Sequence, residues 1–309
     1  MTTPRRIRKV FKSKPTIEGA GVHLNRAFGF SEAPLFDPFL LLDDFRADTP
    51  ADYIKGFPWH PHRGIDTITY MLEGNVEHSD SMGNKGVITA GAVQWMTAGS
   101  GIIHQEMPFG NEHGGMGGFQ LWANLPASQK MMPPRYRDIT AAQIPRLQLE
   151  NGVEIHIISG NIGAVKGPVN DVAIDPQYLD ITVPAGLSYT HHLKKGYTAF
   201  AYIIAGKGLF CHQDEPFSYE SEGVSYSDMK SDPLLENRTL DNRTLILFTD
   251  GDTLTISTKD DSVRFLLISG KPLNEPIAWH GPIVMNTQAE IARAFEEYHN
   301  GTFLQQSIP

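Results

Sequence analysis

Between residues 65 and 106 the chain repeats one pattern: a short run of β-branched and aromatic residues, then a tight cluster of Gly, Asn, Asp and Ser. Asp66-Thr67-Ile68-Thr69-Tyr70-Met71-Leu72 reads as a strand, Glu73-Gly74-Asn75 turns it, and Val76-Glu77-His78-Ser79 runs back. After a polar turn over residues 80–86 come Val87-Ile88-Thr89 and, past Gly91, Val93-Gln94-Trp95-Met96-Thr97. Gly99-Ser100-Gly101 then delivers the chain directly into Ile102-Ile103-His104-Gln105-Glu106. Strands this short, spaced about eight to ten residues apart by Gly turns, build a sandwich or a small barrel. The expected fold class is all-β.

Two histidine pairs flank this ladder. Trp59-His60-Pro61-His62-Arg63-Gly64 precedes it, and His104-Gln105-Glu106 lies in its last strand. Side chains two apart on a strand share a face. Two such strands facing each other would bring three imidazoles and one carboxylate to a point. A single pair is equally what ordinary strand histidines bonded to backbone carbonyls look like; it is the position of both pairs at strands of one ladder that argues for a metal site. The mixed nitrogen and oxygen set suits Fe(II), Mn, Ni, Cu or Zn. A structural zinc site would be closed and tetrahedral and usually contains Cys, and the one cysteine, Cys211, lies in the other half of the chain.

At this point the residues resemble a family. The stretch from Gly56-Phe57-Pro58-Trp59-His60-Pro61-His62-Arg63-Gly64 through Ala98-Gly99-Ser100-Gly101-Ile102-Ile103-His104-Gln105-Glu106 resembles the pirins of the cupin superfamily, as do residues 118–126 and 281–287. The resemblance implies a bicupin, two cupin-type β-barrels, with one divalent transition metal per chain, Fe(II) foremost, on His60, His62, His104 and Glu106. It also implies two functional classes. One is a quercetin 2,3-dioxygenase-like oxidoreductase that uses dioxygen to open the ring of a flavonol, with Glu106 as both ligand and base. The other is a redox-sensing iron protein that acts on a regulatory partner, a transcription factor or a metabolic enzyme, without turnover. His78 and Asp80 are candidates to orient a ligand imidazole. Phe57, Trp59, Trp95, Met96 and Phe119 are candidates for a pocket that accepts a flat aromatic.

Composition fits a cytoplasmic protein of enzyme size. The 309 residues suffice for two domains. One Cys excludes a disulfide framework. A net charge of −9 argues against broad nucleic-acid binding, and no apolar run is long enough to span a bilayer. The basic start (Arg5, Arg6, Arg8, Lys9, Lys12, Lys14) alternates with Ile7, Val10 and Phe11, which reads as an edge strand with solvated charges. Residues 126–145, rich in Pro, Met and Arg, read as a linker. The expected domains are therefore residues 1–143, with the metal, and residues 144–309, a second barrel without one.

In that second half His191-His192 are adjacent rather than alternate, and Cys211-His212 is a lone soft pair. Residues 214–244 read as an extended surface loop. Thr287-Gln288-Ala289-Glu290 is a capping box, Ile291, Phe295 and Tyr298 form an apolar helix face, and Asn300-Gly301 supplies the stop.

Overall fold

The computed structural model describes residues 2–211, 217–221, 224–226 and 239–305. The first twelve strands are β1 (Ile7–Lys12), β2 (Lys14–Glu18), β3 (Val22–Phe28), β4 (Phe39–Asp44), β5 (Phe57–His62), β6 (Ile65–Glu73), β7 (Asn75–Asp80), β8 (Lys85–Thr89), β9 (Val93–Thr97), β10 (Ile102–Phe109), β11 (Gly117–Asn124) and β12 (Arg135–Ile139). Each strand expected between the histidine pairs is present, within a few residues of its expected ends. The turn glycines do what only glycine does cheaply: Gly74, Gly91 and Gly99 all have positive φ.

The chain forms two compact units, and they do not divide it as the sequence suggests. One unit takes residues 15–143 together with 273–309; the other takes residues 1–14 together with 144–272. Two segments therefore change hands relative to the expected 1–143 and 144–309. The C-terminal helix, expected in the second domain, packs in the first unit. The basic start is not an edge strand either: β1 pairs antiparallel with Thr244–Phe248 on one side and parallel with Ser218–Ser221 on the other. Val10 and Phe11 are buried, and Arg5 is only 2% exposed, its guanidinium donating to the carbonyls of Thr249, Lys194 and Tyr197. An alternating strand carries the same pattern at an edge and in a sheet interior, and the sequence does not say which neighbours it will find.

In the first unit β5-β10-β7-β8 make one sheet and β12-β9-β6-β11-β4-β3-β2 another. The expected linker is thus partly structure, because β12 pairs with β9 through Arg135↔Thr97 to Ile139↔Val93. The second unit is one large sheet running through Glu154–Ser159, Gln177–Val183, Val263–Gly270, Thr198–Phe210, Thr244–Phe248 and β1. Its core is mainly aliphatic, with Val10, Ile157, Leu179, Ile181, Ile203 and Leu267 joined by Phe210 and Phe265. Part of the expected 214–244 loop is the hairpin of Ser218–Ser221 with Val224–Tyr226, and the rest lies largely outside the described residues. No described helix is long and apolar enough to cross a membrane.

Besides the four-residue α1 (Ala33–Phe36), the chain has α2 (Gln288–His299). Its capping box is complete: the Thr287 hydroxyl accepts from the Glu290 amide, and the Glu290 carboxylate accepts from the Thr287 amide at 2.8 Å. Ile291 packs with Ala278, Ile283, Met285 and Phe303, and Gly301 ends the helix at φ 73°. Thr287→Ala removes one half of the box and should cost about 1 kcal/mol, read as a small fall in the unit's thermal midpoint; an unchanged midpoint would mean the box contributes nothing.

Candidate metal centre

β5 and β10 are antiparallel neighbours, so the two histidine pairs meet across one ladder. His104 lies opposite His60 and Ile102 opposite His62. The register then slips between His104 and Glu106, which places Glu106 opposite Phe57. The slip falls at Pro58 and Trp59, next to a proline that cannot donate to the ladder.

His60, His62 and His104 come together, with one ligand atom from each lying within 4.8 Å of the others. His62 and His104 are 3% and 1% exposed, and His60 is half-buried. Backbone carbonyls set two tautomers. Nδ1 of His60 is 2.8 Å from the Pro58 carbonyl, and Nδ1 of His62 is 3.0 Å from that of Pro282. A carbonyl only accepts, so both Nδ1 atoms carry the proton and both Nε2 atoms present lone pairs. Those two Nε2 atoms are 3.0 Å apart.

Two lone pairs at that distance repel unless a cation lies between them. A proton is disfavoured: burial lowers the proton affinity of His60, and for His62 burial and then the charge on His60 lower it strongly. His104 is pushed down in the same way, by burial and then by His62, His60 and His78. Neither ring nitrogen of His104 has a hydrogen-bond partner among the described residues. Imidazoles bound to one ion at about 2.1 Å and at right angles would lie roughly 3.0 Å apart. The donor set, its tautomers and its spacing all fit a divalent transition metal.

Glu106, expected as the fourth ligand, lines the same cavity but lies outside the group of ligand atoms that the three histidines form. One of its carboxylate oxygens accepts from the Thr69 hydroxyl at 3.2 Å, and the Gln120 amide stands 3.5 Å from both. Burial pushes this carboxyl up to about 7, against the pull of Thr69 and Gln120. No cation holds it.

The cavity measures about 770 Å³. His60, His62 and Glu106 line it together with Phe30, Phe57, Trp59, Trp122 and Trp279. Phe57 and Trp59 are thus where the sequence reading put them, and three other residues are not. Trp95 is buried and donates its indole N–H to Asp66 at 2.8 Å. Met96 packs into a core cluster with Ile65, Ile102 and Val284. Phe119 faces away from the cavity, under the Arg46 guanidinium, because Gln120 and Trp122 hold the inward positions of β11. Asp80 does not orient a ligand either: its carboxylate closes the following turn, accepting from the amides of Met82 and Asn84 and from the Asn84 side chain. His78 is buried and stacked on Tyr136 at 5.7 Å between ring centroids, without a hydrogen bond to a ligand imidazole.

The residues missed from sequence come mostly from the chain's last stretch. Pro282 orients His62. Arg63, beside it, donates to the Ser100 carbonyl, the Glu297 carboxylate and the Phe303 carbonyl, and stacks over the Phe303 ring at 4.2 Å. Lys130 is 1% exposed. Its ammonium donates to the Gly64 and Val284 carbonyls and to Asn124, and burial brings it down to about 7. In the second unit the buried His191 is held instead by Tyr189 and Gln177, and His212 lies outside the described residues.

Residues 21–123 match the Pirin family and residues 178–304 match the Pirin C-terminal cupin domain. The chain belongs to the pirin family. A pirin-like protein of Caulobacter vibrioides is 39% identical over 97% of this chain and 99% of its own length. A Pseudomonas aeruginosa relative, named as a candidate quercetin 2,3-dioxygenase, is 40% identical over 97% of this chain and 99% of its own. The crystal structure of a quercetin 2,3-dioxygenase from Acinetobacter baumannii superposes with a TM-score of 0.82 at 29% identity, covering 99% of this chain and 100% of that one. Two cupin domains are therefore common ground with these relatives.

Proposed function

We propose that this chain is a metal-dependent, quercetin 2,3-dioxygenase-like oxidoreductase acting on a flavonol, with His60, His62, His104 and Glu106 holding one divalent ion, Fe(II) foremost. The observation that carries the reading is the convergence of three neutral imidazoles at the wall of a cavity lined by aromatic rings. The names of relatives that point to quercetin dioxygenation support it.

When bound, the ion supplies an open Lewis-acid and redox position at the cavity wall. The chain supplies the rest. Trp122 and Trp279, whose centroids are 5.8 Å apart, offer indole faces to a flat aromatic. The carbonyls of Pro58 and Pro282 keep the His60 and His62 lone pairs directed at one point, which fixes the end at which a substrate oxygen is held. Glu106 accepts the proton that the enolic hydroxyl must lose. Its neighbours Thr69 and Gln120 are neutral donors that steady the carboxylate.

Glu106→Gln nearly preserves volume and removes that basicity. With quercetin and dioxygen as substrates, turnover per bound metal should fall by about two to four decades, with metal content measured on the same sample. Equal turnover at equal metal loading would remove Glu106 as the base. Absence of oxygen uptake by metal-replete wild type would overturn the dioxygenase reading.

A further inference from the structure

Six polar side chains form one rung across the cavity-facing sheet. Asp138 pairs with Gln94, Gln94 with Thr69, Thr69 with Gln120, Gln120 with Asp43 and Asp43 with Arg26. Residues directly opposite in register share a face. Four of the six, Thr69, Gln120, Asp43 and Arg26, line the cavity. Thr69 and Gln120 end at the Glu106 carboxylate. Asp43 lies one strand beyond Gln120 and Arg26 two, roughly 5 and 10 Å at about 4.8 Å per strand, and Arg26 binds Asp43 with two bonds of 2.8 and 2.7 Å and Glu18 at 2.9 Å.

This far end is a poor stability device. Asp43 is 5% exposed, and a charge pair taken out of water seldom returns its desolvation cost. It is also unbalanced, since one guanidinium faces two carboxylates. Arg26 spends three of its five N–H groups on them, and the trio carries more negative than positive charge, which disfavours an anion. The carboxylates keep spare acceptor positions, because each Asp43 oxygen uses one lone pair on Arg26 and has another. That end of the cavity is built to receive donors.

We propose that Asp43 and Glu18, braced by Arg26, form a second recognition site that accepts hydrogen bonds from phenolic hydroxyls at the end of the substrate remote from the histidines. The site selects polyhydroxylated aromatics over bare ones and disfavours those carrying a carboxylate there. This rests on the flavonol reading above and deepens it.

The test is calorimetric titration of the metal-loaded protein under nitrogen, where binding is read without turnover. The two probes are quercetin and 3-hydroxyflavone, which share the 3-hydroxyl and 4-carbonyl and differ in all the other ring hydroxyls, so the variants decide which end reads them. Wild type should bind quercetin at least about tenfold more tightly, the worth of one hydrogen bond to a charged group. Glu18→Gln with Asp43→Asn should bring the two affinities to within about threefold, leaving that of 3-hydroxyflavone nearly unchanged. Should the double variant fail to fold, Glu18→Gln alone should cut the preference about threefold, because Glu18 is on the rim with its side chain 42% exposed. Equal affinities in wild type, or an unchanged preference in the variants, would overturn the second site while leaving the flavonol reading intact. Binding of neither compound would overturn both.

Discussion

Replacing His62 and His104 together by Ala should lower the metal bound by the purified protein from one ion per chain to a tenth of that or less. Both imidazoles are buried, and they face a third across less than 5 Å. Nothing else within that group can supply the lost nitrogens, and Glu106 with His60 alone leaves two donors. Elemental analysis of protein prepared without chelators reads the result. His191→Ala is the control: that imidazole is equally buried but already bonded by Tyr189 and Gln177, so its loss should leave the metal content as it was. Full occupancy in the double variant would sink the assignment of the centre.

The second large effect concerns a residue that touches no substrate. Arg63→Met keeps most of the side-chain volume and removes the guanidinium that joins Ser100, Glu297 and Phe303. Two buried carbonyls lose their donor, and a mostly buried carboxylate loses one of its two arginines, the other being Arg293 at 2.8 Å. Removing one partner of such a buried pair costs about 3–5 kcal/mol. The melting transition that responds to metal should fall by roughly 10 °C or more. Metal affinity should fall with it, since the backbone at Arg63 is continuous with His62 and bridges to Ile283 beside Pro282. Arg8, exposed on β1, serves as the comparison, because surface substitutions of this type stay within about 0.5 kcal/mol. A fall of less than 2 °C for Arg63→Met would show that the surrounding contacts carry the segment without it.

Much of the centre was legible because strands have a period of two. That period placed His60 beside His62 and His104 beside Glu106, and the Gly turns marked where the ladder reversed. The ladder did not reveal which apolar residues face inward. Phe119 and Trp122 are both aromatic, yet they lie three apart on one strand and so point opposite ways. The polar Gln120 in the middle of an apolar strand was the available sign that its face, and not that of Phe119, looks into the cavity. Asp80 read as a possible support for an imidazole, while the Asx-type turn it closes was equally written in Asp80-Ser81-Met82-Gly83-Asn84. The placement of the termini was not legible at all. β1 and α2 carry ordinary amphipathic patterns, and such patterns specify a buried face without specifying whose core it meets.

The exchange of end segments also sets an order of events during synthesis. Domains generally fold as they emerge, the N-terminal one first, and here that rule cannot hold in full. The carbonyl that orients His62, the carboxylate that grips Arg63 and the ring beneath it belong to residues 282–303, which are made only after the whole of 144–272. Until then the histidines of β5 and β10 exist on the nascent chain without the segment that aims one of them. An ion met early would find an imidazole free to turn, and an ion met late would find it fixed. The timing of metal capture is thereby written into the path of the backbone.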